Sequence, residues 1–554
     1  MSNTCPQCSS QFTIAQEDLD FYEKVSPEIN CKKFLIPAPL QCPDCRERNR
    51  IAFRNERKLY QRKCDLCKKE IIAVHASEKK TKVYCTTCWW SDNWNSEDSG
   101  QDFDFSRPFF AQLQEVLLKA PLLNLFAKNN VNSDYVNQET DDKNCYLNAG
   151  GHFNEDCYYN TYCIKGKNNV DNYWLMSSEL CYMCLHSESC YQSSYLQFCQ
   201  NVRDSQYCFD CKDCDHCFGC YGLRHKKYYF FNEQLTKEAY EEKVAQATRD
   251  YEARELTKQK AAEYFLKYPH KATQNTQCED VTGDQLTQCK NAYNCFNSEK
   301  LQDCKNVFIA VELKDVQDIG SIGWGELVYF SASSMQCYQV CFCSHSSEIK
   351  QALYCFQCFN IQHCFGCVGL HNKAYCILNK QYSKEQYEEL LAKVIAHMQN
   401  TGEWGQFFPM ALSPFAYNET VAQEYFPRTQ EEIIDEGLNW HDPHSLNRYE
   451  GPKVAIPNRI EETQDELVKQ ILTCEGCGKN YKLIQQELEF YRHMHLPVPH
   501  HCWECRHRER INRNPPRKLW NRECSSCQIK LQTTYAPERK EQIVCEPCYL
   551  KETY

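Results

Sequence analysis

The sequence predicts a chain that is mainly β with α, in which two cysteine-bearing terminal modules flank a duplicated, cysteine-rich repeat. Three observations carry that expectation. C-x-x-C pairs crowd both ends of the 554 residues. The 24 cysteines between those ends fall almost entirely into one three-residue phase. The central segment also occurs twice, at an offset of 147 residues.

The ends come first. Residues 1–90 contain the pairs Cys5/Cys8, Cys42/Cys45, Cys64/Cys67 and Cys85/Cys88. Residues 474–554 contain Cys474/Cys477, Cys502/Cys505, Cys524/Cys527 and Cys545/Cys548. A constant shift of 460 relates the last three pairs of each set, and it also carries Arg46, Arg48 and Arg50 onto Arg506, Arg508 and Arg510. Before the second pair the shift is 469, which places Phe21 and Tyr22 on Phe490 and Tyr491. The module is therefore duplicated, with nine residues of difference in one loop.

Two cysteines three apart on a tight turn offer two thiolates from one knuckle, and two knuckles complete the tetrahedral set that Zn²⁺ takes in structural sites. The third and fourth pairs are separated by 17 residues in both modules, inside the C-x2-C-x15–20-C-x2-C zinc spacing. The first and second pairs are separated by 33 and 24 residues, room for a hairpin and a short helix. All sixteen cysteines are thus candidate zinc ligands, and about four ions per chain are expected. Sequential pairing, first with second and third with fourth, is the leading arrangement; an interleaved one stays open. Redox dithiols are the competing reading, which eight pairs in two matching sets disfavour.

The stretches CPQC…EDLDFY…CPDCRERNR and CEGC…QELEFY…CWECRHRER resemble the family described as a "probable zinc-ribbon" domain. Over nearly its whole length, through DFDFSRPFF, NSDYVNQETDDKNCY, LSPFAYNETVAQEYFP and YAPERKEQIVCEPCY, the chain is similar to cysteine-rich proteins of uncultured, small-genome bacterial lineages that carry such domains at both ends. That resemblance implies zinc at the ends and no established activity. Nothing in the residues supports the CoA-transferase activity sometimes ascribed to such proteins.

Next comes the middle. From Cys145 to Cys220 all twelve cysteines are separated by multiples of three, and from Cys278 to Cys376 only Cys278 and Cys341 leave the phase. A three-residue period belongs neither to an α-helix nor to a lone half-buried strand. Written in lines of nine, CYMCLHSES, CYQSSYLQF, CQNVRDSQY, CFDCKDCDH and CFGCYGLRH follow one another from Cys181. Short fixed periods of this kind mark stacked coils, so a β-solenoid-like region is expected, with two nine-residue sides per coil or a triangular coil. Cys157, Cys190, Cys208, Cys211, Cys217 and Cys220 recur 147 residues later. Cys214, Cys199 and Cys181, however, meet Ile361, Ser346 and Val328. A tetrahedral metal site does not tolerate a missing ligand, whereas a packed core tolerates cysteine exchanged for isoleucine. The central thiols therefore read first as a core and second as further metal ligands or redox groups.

Each block runs into a helix start, with Thr236 as an N-cap and Ser383 and Gln386 as a capping box. Tyr240, Val244, Ala247 and Tyr251 are expected on one face of the first such helical segment. Helices in this place would cap an open ladder end.

The resulting boundaries are as follows. Residues 1–90 form the N-terminal zinc-ribbon module, and 91–143 a linker plus an amphipathic helix ending near Pro121. Residues 144–232 form the first block, 233–275 a helical segment, 276–379 the second block and 380–400 a helix. Residues 401–470 are an ordered linker rich in aromatics and proline, and 471–554 the C-terminal module, entered through a helix over 461–473.

Charge and missing motifs bound the function. The first 90 residues hold 16 basic and 11 acidic side chains, residues 474–554 hold 14 and 10, and the middle holds 33 and 53. Nucleic acid, if bound at all, is therefore expected at the ends. There Arg46, Arg48, Arg50, Arg54 and Arg57 lie near Tyr60, and Arg506, Arg508, Arg510, Arg513 and Arg517 near Trp520. Two four-cysteine zinc sites add about −2 each, which offsets most of that surplus. No P-loop, dinucleotide fingerprint, HExxH or GxSxG occurs. His216–Cys217 and His363–Cys364 are sequence neighbours, which on a strand face apart. No apolar run reaches the roughly 18 residues of a membrane span, and no leader-like stretch opens the chain, so a cytoplasmic protein is expected. The sequence reads as a zinc-binding, non-catalytic scaffold for a protein partner, with nucleic-acid or ribonucleoprotein binding through the basic ends as the alternative.

Overall fold

The computed structural model describes residues 2–553 apart from 312, 321–324, 327, 328, 336, 339, 443–450 and 452, and between 325 and 338 it describes backbone only. Val328 and the side chain of Cys337, the counterparts of Cys181 and Cys190, lie outside the described residues. The architecture is mixed: many short strands and, among the described residues, twelve α-helices. None of those helices is long and apolar enough to cross a membrane.

The chain forms two compact units that do not follow sequence order. One comprises Met1–Leu125, Thr273–His441 and Arg517–Leu519, so the N-terminal module belongs with the second repeat block. The other comprises Phe126–Ala272, Asp442–Pro516 and Trp520–Tyr554, so the C-terminal module belongs with the first block.

Within each block, short strands pair in parallel with the strand twelve residues further on. Thr161 pairs with Tyr173, Tyr173 with Leu185 and Asp215 with Lys227 in the first block. Ser347 pairs with Phe359, and Phe359 with His371, in the second. The repeat is therefore twelve residues rather than a multiple of nine. The nine-residue lines reflect a different regularity, the thiol hydrogen bonds. Cys190 Sγ donates to the Cys199 carbonyl and Cys208 Sγ to the Cys217 carbonyl, each nine residues ahead.

Backbone conformation explains the three-residue phase. Every third residue from Gln138 to Phe231 has φ between 46° and 78°. Each twelve-residue repeat thus consists of four three-residue sides with a left-handed corner between them. Such corners favour Asn, Asp and Gly. Asn144, Asp156, Asn168, Asp171, Asn201 and Asp213 occupy them here, and corner amides bond twelve residues on, as Asn201 does to Asp213 at 2.7 Å. The residue after each corner points inward, and that is the cysteine phase.

Cys181, Cys184, Cys208, Cys211, Cys217 and Cys220 form one interior with Leu175 and Leu196. Cys355, Cys358, Cys364 and Cys367 form the other with Ile349 and Ile361. Their thiols act as donors, for example Cys184 Sγ to the Tyr182 carbonyl at 3.5 Å, and burial pushes Cys190 up to about 12. The second block replaces Cys199 with Ser346, whose hydroxyl keeps the inward role by bonding the Ser344 carbonyl and the Cys358 amide. Cys199→Ser should therefore cost no more than about 1 kcal/mol in chemical denaturation, and a loss of several kcal/mol would contradict a core role.

The first ladder starts earlier than expected. Ala127 already pairs with Glu139 and Val131 with Lys143, so residues 126–143 are ladder and not linker. At the far end each ladder closes on an antiparallel strand, Lys227–Phe230 on Glu233–Gln234 and Cys376 on Gln381. Thr236 then caps the helix Lys237–Ala247, and the Ser383/Gln386 box opens Lys384–Thr401. Tyr251 does not continue the face of Tyr240. The first helix ends at Thr248, and Asp250 accepts the Ala253 amide to cap a separate helix, Tyr251–Phe265.

The expected amphipathic helix is Phe109–Lys119, which stops before Pro121 and buries Phe109, Leu113, Val116 and Leu117. Trp404, Phe407, Phe408, Phe415 and Tyr417 of the aromatic segment are buried in the first unit. Residues 461–473 are not an α-helix but two 3-10 turns, Ile460–Glu462 and Asp465–Lys469. Arg492 takes the Thr463 carbonyl at 2.8 Å and so withdraws it from a helical ladder.

Candidate metal centres

The sixteen terminal cysteines come together as Cys5/Cys8/Cys42/Cys45, Cys64/Cys67/Cys85/Cys88, Cys474/Cys477/Cys502/Cys505 and Cys524/Cys527/Cys545/Cys548. Within each group all sulfurs lie within 4.8 Å of one another. This is the sequential arrangement in both modules.

Local sequence builds both halves of each site. The first pair sits on a knuckle whose next residue turns left-handed: Ser9, Lys68, Gly478 and Gln528 have φ of 60° to 70°. That residue's amide returns to the carbonyl of the leading cysteine, as Gly478 does to Cys474 at 2.9 Å. The second pair opens a helix. Cys42, Cys85 and Cys502 are N-caps, and Cys545 precedes Glu546–Thr553. The partial positive charge of a helix N-terminus favours thiolate there. Amides also point at the leading sulfurs: Cys85 N to Cys64 Sγ at 3.3 Å, Cys502 N to Cys474 Sγ at 3.2 Å, and Cys545 N to Cys524 Sγ at 3.3 Å.

The separations suit coordination. Cys8–Cys42, Cys67–Cys85, Cys477–Cys502 and Cys527–Cys545 are 3.5, 3.9, 3.7 and 3.6 Å apart. A disulfide would need about 2.05 Å. A tetrahedron with metal–sulfur bonds of about 2.3 Å has edges of about 3.8 Å.

Protonation points the same way. Burial opposes ionisation of Cys524, but the Cys545, Cys527 and Ser526 amides outweigh it and bring its pKa to about 6. The same balance brings Cys64 and Cys474 to about 7. Their neighbours shift upward: hydrogen bonding with Cys545 pushes Cys548 to about 12, and burial pushes Cys502 to about 11. Four thiolates this close require a bound cation. The depressed thiols contribute stability above their unfolded value of about 9 and lose it as pH falls through about 7 and then about 6. Metal should therefore leave with acid; an indicator dye followed from about pH 8 to about pH 4 reads the release.

A further feature was not legible in the sequence. Arg506 Nε and Arg510 Nη1 both lie 2.7 Å from the Asp171 carboxylate, and Arg506 Nη2 lies 3.0 Å from Glu487. In the first unit Arg46 donates to Asp318 at 3.0 Å through Nε and through Nη2, and Arg50 lies 3.6 Å from the same carboxylate. Asp318 is Asp171 plus 147, and Arg46 and Arg50 are Arg506 and Arg510 minus 460. Each module is thus held to a block through the same left-handed corner aspartate. Both aspartates are fully buried.

The other arginines are similarly engaged. Arg48 pairs with Glu436, Arg54 with Glu56, Arg57 with Glu424 and Arg517 with Glu47. Tyr60 donates to Glu419. Of the ten arginines in the two runs, Arg508 is the exposed one and Arg513 is half-buried without a carboxylate partner among the described residues.

Asp204, Asp215 and His216 form one further cluster, but Lys227 already lies 2.8 Å from Asp215. His363 stacks on Tyr375 and His216 packs at a tilt against Tyr228, while Cys217 and Cys364 point into the core. Gly219 and Gly366 are corners whose Cβ would sit 2.8 Å from the Phe231 and Phe109 rings. No protein-family model matches the chain, and no curated protein matches it.

Proposed function

We infer that the protein is a zinc-binding, non-catalytic scaffold. Each terminal zinc-ribbon module braces one block of a twelve-residue β-solenoid, and the blocks display repeat faces to a protein partner in a reducing compartment such as the cytoplasm. Zinc is the metal that an all-thiolate tetrahedron of these dimensions suits. Reduced sulfur is needed by the four terminal cysteine groups and by the interior thiols that donate hydrogen bonds alike. The twelve-residue parallel register with left-handed corners supports the solenoid reading, and repeat stacks of this kind offer extended binding surfaces.

The observation that carries the choice between scaffold and nucleic-acid binder is the fate of the arginines. Arg46, Arg50, Arg506 and Arg510 are spent on Asp318 and Asp171. Phosphate binding requires basic side chains free to release counterions. Retention of the protein on RNA or DNA at graded salt tests this. No retention at about 50 mM salt is expected; retention that falls steeply with salt would overturn the reading in favour of the nucleic-acid alternative. Affinity purification from the native host should then recover a protein partner.

A further inference from the structure

The second unit contains a cleft of about 280 Å³ with an aromatic lining. Tyr195 and Tyr207, twelve residues apart on the ladder, stack with ring centres 4.7 Å apart and planes 6° apart. Phe209, Phe265 and Tyr535 continue the lining. Arg513 also lines the cleft.

Two of the three cations of the cleft are held by carboxylates at close range. Lys258 is held by Glu255 at 2.8 Å and Glu509 at 3.1 Å, and Arg539 pairs with Glu541. Among the described residues the only hydrogen-bond acceptor of the Arg513 side chain is the Met183 carbonyl, 3.5 Å from its Nη1. Burial lowers its pKa, and the longer-range attraction of Glu509, which is hydrogen-bonded to Lys258, only partly offsets that. His270, deep in the lining, is held neutral: burial lowers it to about 4. The cleft thus presents rings and one guanidinium that no carboxylate holds by a hydrogen bond, a group that donates and cannot accept.

The internal duplication shows how this place is otherwise filled. Tyr195, Tyr207 and Phe209 correspond to Phe342, Tyr354 and Phe356, and Arg513 corresponds to Phe53. In the first unit Phe53 packs on Phe356, Phe407 and Phe408 with centroids 6.1, 5.8 and 5.5 Å away. Protein aromatics fill that position against the same ladder face. In the second unit the described residues leave a cavity, and the ring that fills it in the first has been exchanged for a cation.

We propose that this cleft binds a small aromatic anion, its ring against Tyr207 and Phe209 and its carboxylate or phosphate on the Arg513 fork. A planar guanidinium takes either acid in the same two-point geometry. The cleft volume lies at the small end of ligand pockets, which limits the ligand to about one ring system.

Calorimetric titration of the full-length, metal-loaded protein with 4-hydroxyphenylacetate and with phenyl phosphate tests the proposal and separates the two acids. Wild type should bind at least one probe with Kd at or below about 1 mM. Arg513→Gln should weaken that binding by about tenfold or more. Arg513→Phe, which copies Phe53, should abolish it and carries the comparison if the glutamine variant does not fold; unchanged metal content and far-UV dichroism establish folding. No binding of either probe by wild type, or binding unaffected in the folded variants, would overturn the proposal.

Discussion

Asp171→Ala should destabilise the second unit by about 3–5 kcal/mol. The substitution strips the shared carboxylate from Arg506 and Arg510, each 2.7 Å away and both buried. Two guanidiniums would remain out of water, with Glu487 able to serve only Arg506. The sulfurs of Cys474, Cys477, Cys502 and Cys505 are positioned by their own knuckle and helix start, so metal content should hold while the urea midpoint falls and proteolysis in the second unit quickens. Asp318→Ala should cost less, because Arg50 keeps Glu47 at 2.7 Å. A shift below about 1 kcal/mol in Asp171→Ala would mean that the clamp does not hold module to block.

Cys524→Ser should remove one metal ion per chain and unfold the hairpin and helix that surround it. Structural zinc sites contribute about 10–16 kcal/mol of apparent binding energy, and this is folding energy for the segment. Cys524 is fully buried, receives the Cys545 amide at 3.3 Å and joins Trp520–Glu523 to the knuckle. The contrast with Cys199→Ser is the useful one. The same chemical change should be nearly silent where sulfur only packs and donates, and severe where it ligates. Equal effects at both sites would contradict the division between terminal ligands and central core.

The parts legible in the sequence were those set by local spacing. Pairs of cysteines at fixed separations marked the sixteen ligands and favoured the sequential grouping over an interleaved one, and the three-residue phase announced a repeat with inward sulfur. Coil length was hidden because the cysteines mark sides rather than turns: with a corner at every third residue, any multiple of three looks regular. The start of the first ladder was hidden because its inward positions before Cys145 are mostly polar, Asn130, Glu139 and Asp142 beside Val136, with no sulfur to show the phase. The arginine runs were open to reading either as phosphate contacts or as an offset to thiolate charge, because their partners lie 272 and 335 residues away, at Asp318 and Asp171. Only comparison of the two offsets, 460 for the modules and 147 for the blocks, brings those partners into view. The same comparison exposes Arg513 against Phe53, a difference that spacing alone does not mark as functional.

The central claim is that sulfur does two separate jobs: sixteen terminal cysteines hold metal, and the central ladder of thiols is packing. Elemental analysis of metal per chain, on protein purified under reducing, oxygen-free conditions, tests it most directly. The account predicts about four zinc ions per chain, one for each tetrahedral group. A count well above four would place metal in the ladder, and a count near zero in folded protein would remove the metal centres altogether.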